Sequence, residues 1–275
     1  MTTDNKLDGW EFSHPTSVIF GPRSRERLAE RLSGRQVLAV SSKRGRGYFE
    51  ADELLHQLSP GFAWMDRVSS NPSINDIEKA RREIDWGSVD VILAFGGGSA
   101  IDLAKTLSVF SSPRTQDMSV IDAIQLGVDL EAPEHSPVVA MPTTAGTGAE
   151  VTPFATVWDR REKRKLSFSS PLLYPKLAIV DPRLTDSVPR ATTISTGIDA
   201  LNQAFESLWN KNRNSVSALF ASWAISLALQ GLRELNQDLG DHIARDKMSE
   251  ASLFAGMAIA RTRTSICHSI SYPIT

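Results

Sequence analysis

Ala94-Phe95-Gly96-Gly97-Gly98-Ser99-Ala100-Ile101-Asp102-Leu103-Ala104-Lys105 joins two segments of different hydrophobic period. In front of it, the apolar run Val89-Asp90-Val91-Ile92-Leu93, bounded by Gly87, reads as a buried parallel strand. Behind it, Leu103 and Leu107 open a helical pattern. A strand, three glycines and a helix start form a geometry suited to phosphate. Glycine lets backbone approach a ligand closely, and the free N–H groups of a first helical turn point at it. The stretch is neither G-x-G-x-x-G nor a P-loop ending in G-K-[ST]. A tight βα turn without a ligand is the plainer reading, but a triple glycine followed by Ser-x-x-Asp is more than a turn requires.

Outward from this turn, strands and helices alternate, which predicts a mostly parallel α/β sheet. Alternation around residues 1–22 suggests edge strands, with His14 extended and exposed before Pro15. A helix is expected over Ser24 to Leu32, ended by Gly34, then a buried strand Gln36 to Val40. Ser41-Ser42-Lys43-Arg44-Gly45 would lie at its carboxyl end, the ligand side of open α/β sheets. Glu50 to Leu58 reads as a helix, and Phe62 to Met65 as a strand. Ser73 with Asp76 predicts a capped helix reaching about Ile84. Residues 111–136 read as a loop with a short helix near Val120. The strand Pro137 to Met141 runs into Pro142-Thr143-Thr144-Ala145-Gly146-Thr147-Gly148-Ala149-Glu150, whose hydroxyls and flexible backbone again suit phosphate or ribose oxygens. Thr152 to Trp158 and Lys165 to Phe168 form an expected hairpin, and Leu177 to Pro182 a further strand. After Pro189 the pattern turns helical, over Ala191 to Trp209, Ser215 to Leu232 and Lys247 to Arg263. The boundary is placed at residue 187: an α/β domain over 1–187 and a helical domain over 188–275.

Composition narrows the class. Of 275 residues, 41% are hydrophobic and 23% charged, as in globular proteins. A formal charge of −2 offers nothing to nucleic acid or an anionic membrane, and Arg160 to Lys165 reads as a solvated turn. The single cysteine, Cys267, precludes an internal disulfide and fits a reducing compartment. Without a signal-like N-terminus or a run of about 18 apolar residues, cytoplasm is the expected location.

Chemistry concentrates late in the chain. Asp199 and Gln203, one turn apart, would project to one helix face. His268 lies four residues before Tyr272. An Asp and a His from two helices make half of a divalent metal site, although on spacing alone the plainer reading, a chance structural pair, prevails.

Together these blocks resemble the iron-containing (group III) alcohol dehydrogenases, over nearly the whole chain. Four blocks carry the resemblance: Gly96 to Lys105, Pro142 to Thr152, Gly197-Ile198-Asp199-Ala200-Leu201, and Ala255-Gly256-Met257-Ala258 running on to His268. It implies a dinucleotide-binding α/β domain, an all-α domain, a nicotinamide cofactor in the cleft between them, and a homodimer. Gly97, Gly98 and Ser99 would hold the pyrophosphate, with Asp102 and Asn71 nearby. Thr143, Thr144 and Thr147 would contact cofactor oxygens, and Lys165 would reach the ribose. Fe²⁺, or Zn²⁺, held by one Asp and three His, would polarise the substrate oxygen while hydride moves.

Several positions depart from the family pattern. Asp199 matches the Asp ligand and His268 the first His of H-x-x-x-H, but Gln203 stands where the next His ligand belongs, and an amide oxygen binds these metals more weakly. Tyr272 replaces the second His and is the expected proton donor; without metal, it and Arg263 would have to polarise the carbonyl. The last His would lie about a dozen residues beyond His268 by family spacing, past Thr275, so the helical domain is expected to be incomplete. Ser42, followed by Lys43 and Arg44, replaces the acid that bonds the adenosine ribose in many NAD-preferring members, which favours NADP(H) while leaving NAD(H) open. Arg261 and Arg263 suit an anionic substrate, with both arginines pointing to solvent as the equal alternative, and the run Arg261 to Pro273 resembles the phosphonoacetaldehyde reductase branch. Phe154 and Ile259 would form an apolar wall. The expected activity is NAD(P)H-dependent reduction of a small aldehyde, such as phosphonoacetaldehyde to 2-hydroxyethylphosphonate. Its rivals are a polyol oxidoreductase like glycerol dehydrogenase, dehydroquinate synthase, and a non-catalytic nucleotide-binding fragment or scaffold.

Overall fold

A computed structural model describes residues 9–125 and 135–271. Its first part is a six-stranded parallel sheet. The strands are β1 (Ser17–Phe20), β2 (Val37–Val40), β3 (Phe62–Met65), β4 (Val91–Gly96), β5 (Val138–Pro142) and β8 (Leu177–Val180), in the order β1-β8-β5-β4-β2-β3. A hairpin, β6 (Phe154–Asp159) and β7 (Arg164–Ser169), forms a separate antiparallel pair.

Every residue of β2, β4, β5 and β8 is buried. Helices cover both faces, so these strands carry continuous apolar runs rather than alternation. Alternate residues still face opposite sides. Leu38, Val40, Ile92, Ala94 and Ala140 pack with Ile77 of α3 (Ile74–Glu83) and Ile101 of α4 (Gly98–Val109). Val37, Ala39, Leu93, Phe95 and Met141 pack with Leu28 of α1 (Arg27–Leu32) and Phe49 of α2 (Lys43–Ala51). The Ser73–Asp76 capping box starts α3, and the short α5 (Val120–Gln125) follows in the next connection.

Two details differ from the sequence reading. No helix runs from Glu50 to Leu58: α2 ends at Ala51, and a 3₁₀ segment spans His56–Gly61. The Ser42 side chain caps α2 by accepting the Gly45 N–H, and Phe49 packs edge-on against Phe95 and Trp64, which overrides two unfavourable glycines, Gly45 and Gly47. His14 is not exposed. It is half-buried beside Tyr174, with Nε2 3.0 Å from the Val151 carbonyl oxygen, and β1 is the one strand among described residues 9–22.

The second part is helical: α6 (Arg190–Trp209), α7 (Ser215–Gln237), α8 (His242–Thr262) and the short α9 (Ile266–Ser271). Their contact is lined with alanine. Ala200 and Ala204 of α6 meet Ala221 and Ala224 of α7 and Ala255 and Ala258 of α8. By length and composition α7 could cross a membrane; here Ala221, Ala224, Ala228 and Leu235 face the other helices. The helices join the sheet through Leu253 of α8, packed with Val151, Ala178 and Val180.

Candidate functional site

The connection after β2 runs to β3 on one side and the connection after β4 runs to β5 on the other, so the sheet changes direction between β2 and β4. Ligands bind open α/β sheets at such a switch point, outside the carboxyl ends of the strands. The loops after β2, β3, β4 and β5 meet there around a cavity of about 570 Å³, which contains Ser42, Asn71, Gly97, Gly98, Ser99, Asp102, Thr143, Thr144, Thr147 and Lys165. The structure thus brings all ten expected cofactor residues together. No side chain caps α4, so its first N–H groups face this space. The glycine turn leaves no room for side chains: a Cβ on Gly98 would lie 2.8 Å from Thr147 Cγ2. Asn71 donates its N–H to Ser99 Oγ at 3.2 Å. Burial raises the Asp102 carboxyl, opposed by Lys105 and by the Thr156 N–H at 2.9 Å. Burial lowers the Lys165 amine, against the pull of Asp199 and Asp102.

A second cavity of about 610 Å³ opens from the first, with Asp102, Thr147, Thr156 and Lys165 lining both. The β6–β7 hairpin forms their common wall. Register pairs Phe154 with Ser169, Thr156 with Ser167 and Trp158 with Lys165. With a period of two, these six side chains share one face. All six line one cavity or the other, while Ala155, Val157 and Phe168 point into the core.

The second cavity holds Asp199, Gln203, His268, Phe154, Ile259 and Arg263. The helical spacing works as expected: the Gln203 amide donates to Asp199 Oδ2 at 3.0 Å. Asp199 is only partly buried, its side chain being 37% exposed. His268, from α9, points Nε2 at Asp199 Oδ1, 3.4 Å away. Burial lowers the His268 imidazolium, but Asp199 and Glu206 together hold it above its ordinary value. Nearby, Gln203 Oε1 is buried without a hydrogen-bond partner.

These donors test whether a divalent ion fits. A carboxylate, an imidazole nitrogen and an unsatisfied amide oxygen can each ligate a divalent ion, the amide most weakly, and the three residues line one cavity. Among the described residues, no three His, Cys, Asp or Glu side chains group at metal-binding distance, so an ion would depend on Gln203 as third donor. On those terms the residues fit the ion.

Arg261 does not line the cavity. On a helix, residues two apart point to nearly opposite sides, and Arg261 lies between Ile259 and Arg263; it is exposed, near Tyr174. Arg263, just past the end of α8, is also exposed but lines the cavity, with φ 65° and ψ 172°, backbone angles that suit glycine. Tyr272 lies outside the described residues.

Sequence reasoning missed Glu206. This fully buried carboxylate binds the start of α9 and the His268 ring. Its signal was spacing, seven residues after Asp199 and three after Gln203, on the same face of α6.

The comparisons with known proteins agree. The iron-containing alcohol dehydrogenase family matches residues 15–182, and its C-terminal family matches 193–275. Phosphonoacetaldehyde reductase of Streptomyces viridochromogenes is 35% identical over 225 residues, 81% of this chain and 56% of that relative. The 1-propanol dehydrogenase of Citrobacter freundii is 34% identical over 270 residues, 96% of this chain and 67% of its own. Among solved structures, an iron-containing alcohol dehydrogenase from Thermotoga maritima superposes with TM-score 0.86 at 34% identity, covering 97% of this chain and 73% of its own. Sulfoacetaldehyde reductase of Bifidobacterium kashiwanohense, in complex with NAD⁺, gives 0.86 at 31% identity, covering 97% and 71%. The chain therefore spans just over half of the phosphonate relative and nearly three quarters of these two structures, and it belongs to the iron-containing alcohol dehydrogenase family.

Proposed function

We propose that this protein is an NAD(P)H-dependent reductase of a small anionic aldehyde, converting phosphonoacetaldehyde to 2-hydroxyethylphosphonate. One observation carries this most directly: the glycine-turn cavity opens into the Asp199–Gln203–His268 cavity through residues that line both. Cofactor and substrate can meet there.

When bound, the nicotinamide would supply hydride and a divalent ion, Fe²⁺ or Zn²⁺, would polarise the carbonyl. The residues of the chain divide the remaining work. The free N–H groups after Gly97, with Thr144 and Thr147, hold the pyrophosphate. Asp199, Gln203 and His268 hold the ion. Arg263 binds the anionic end of the substrate, assisted by the Ser167 and Ser169 hydroxyls, and Phe154 and Ile259 cover its short carbon spacer. Tyr272 or water delivers the proton.

NADP(H) is the proposed preference. No acid follows β2, and Arg44 lines the cavity beside Ser42. Arg46, by contrast, is engaged with Glu50 and Asp66. The exposed free Cys267 suits a reducing cytoplasm.

A second reading, a non-catalytic nucleotide-binding protein, is favoured by Gln203 replacing an imidazole. Titration of NADPH and NADH by fluorescence, then loss of NADPH absorbance with phosphonoacetaldehyde or propanal, separates the two. Binding without turnover would select the non-catalytic reading. Turnover unchanged after complete removal of iron and zinc would remove the metal role.

A further inference from the structure

Glu206 is fully buried, yet it touches neither cavity. A buried carboxylate needs donors, and those of Glu206 come from a single short stretch of chain. Oε1 accepts the Ser265 hydroxyl at 3.2 Å, the Cys267 N–H at 2.8 Å and the His268 N–H at 3.2 Å. Oε2 closely faces His268 Nδ1. One oxygen thus fixes the backbone that carries His268, and the other fixes its ring.

The chemistry of this contact is one-directional. Glu206 Oε1 already accepts from three donors, the bonding pattern of a carboxylate that accepts through its oxygens rather than donates. In the neutral ring the closer carboxylate takes the single N–H: Glu206 at Nδ1 outcompetes Asp199, 3.4 Å from Nε2, so Nδ1 carries the hydrogen and the lone pair is left on Nε2. Asn202 Nδ2 also approaches Nδ1, at 3.4 Å, but the charged acceptor in closer contact prevails. Nε2 is the nitrogen directed at Asp199.

We infer that Glu206 is a positioning residue: it selects the Nδ1–H tautomer and the ring orientation that present His268 Nε2 to a divalent ion beside Asp199. Its purpose rests on the metal reading above; the tautomer does not.

The experiment uses the full chain and Glu206→Gln, a near-isosteric change whose amide can donate to Nδ1. In metal-free protein, with the pH raised until the His268 ring signals stop shifting, nitrogen-15 NMR reads the tautomer of the neutral ring, with signals assigned by their loss in His268→Asn. The wild type should show Nδ1–H, and Glu206→Gln should shift the population to Nε2–H. Co²⁺ titration, followed by its visible absorbance, should show about 10–100-fold weaker binding by Glu206→Gln at unchanged fold, judged by circular dichroism. A wild-type Nε2–H tautomer overturns the inference. So does Co²⁺ affinity equal in both proteins. If the wild type shows Nδ1–H but binds no Co²⁺, the metal reading fails while the tautomer assignment stands. Should Glu206→Gln not fold, the wild-type spectrum decides alone.

Discussion

Gly148 and Gly256 meet backbone to backbone. A Cβ on Gly148 would lie 2.4 Å from Gly256 Cα, and one on Gly256 would lie 2.8 Å from Gly148 Cα. Gly148 ends the Thr-Gly loop in the left-handed region at φ 61°, and Gly256 sits in mid-α8. The cleft wall on the sheet side is thus seated directly on the helical part.

Gly256→Ala should therefore lower the urea midpoint. Overpacking of this kind costs about 1–3 kcal/mol. Gly148→Ala should cost more, because it adds about 1–2 kcal/mol of left-handed strain. Midpoints unchanged in both variants would mean that the two backbones separate freely.

Ser42→Asp tests cofactor choice without disturbing the fold, since Asp caps a helix as well as Ser. NADPH affinity should fall about tenfold to a hundredfold, the worth of a charge-assisted contact, while NADH affinity is kept. Fluorescence titration of both cofactors measures the pair, and parallel losses would argue against a 2′-phosphate beside Arg44.

Arg263 combines an anion-binding side chain with glycine-like backbone angles. Arg263→Ala should raise KM for phosphonoacetaldehyde about tenfold or more and leave propanal unchanged. Arg263→Gly should lose the same preference yet unfold at no lower temperature, because about 1–3 kcal/mol of backbone strain is released. Equal effects on both aldehydes would place the anion elsewhere.

Lys105 and Glu150 set a pH dependence of stability. Lys105 is fully buried, donating to the Ala149 carbonyl at 2.9 Å, and burial lowers its amine to about 8, opposed by Asp102 and Glu150. Burial raises Glu150 to about 7. A raised acid holds its proton more tightly when folded, so its contribution is complete below the unfolded value of 4.5 and is lost as pH rises through about 7. A lowered amine acts oppositely: its contribution is complete above 10.5 and is lost as pH falls through about 8. Their joint contribution should be smallest between about 7 and 8. Urea unfolding across pH should show this, and Glu150→Gln should flatten the fall between about 4.5 and 7. A wild-type curve parallel to that of the variant would exclude Glu150 as its source.

Much of the cleft was legible because its chemistry is local. The glycine turn, the Thr-Gly loop and the Asp199–Gln203 pair each lie within about ten residues. What was hidden depends on distant partners. Gly45 and Gly47 look like loop until Phe49 is seen packed on Phe95, which holds α2 in place. Arg261 and Arg263 look equivalent until the end of α8 separates them. Glu206 reads as an ordinary helix acid because Cys267 and His268 lie about 60 residues away in sequence.

The hairpin wall acts as a ruler. From Lys165 to Ser169, four residues of β7 span about 13 Å, at about 3.3 Å each. Moving β7 by one residue would turn Lys165, Ser167 and Ser169 away from the cleft and expose Phe168. The distance between the two compartments can thus change only in steps of two residues. Descendants of this protein would vary what they recognise by exchanging side chains at Phe154, Ser167 and Ser169, while the strand itself stays where it is.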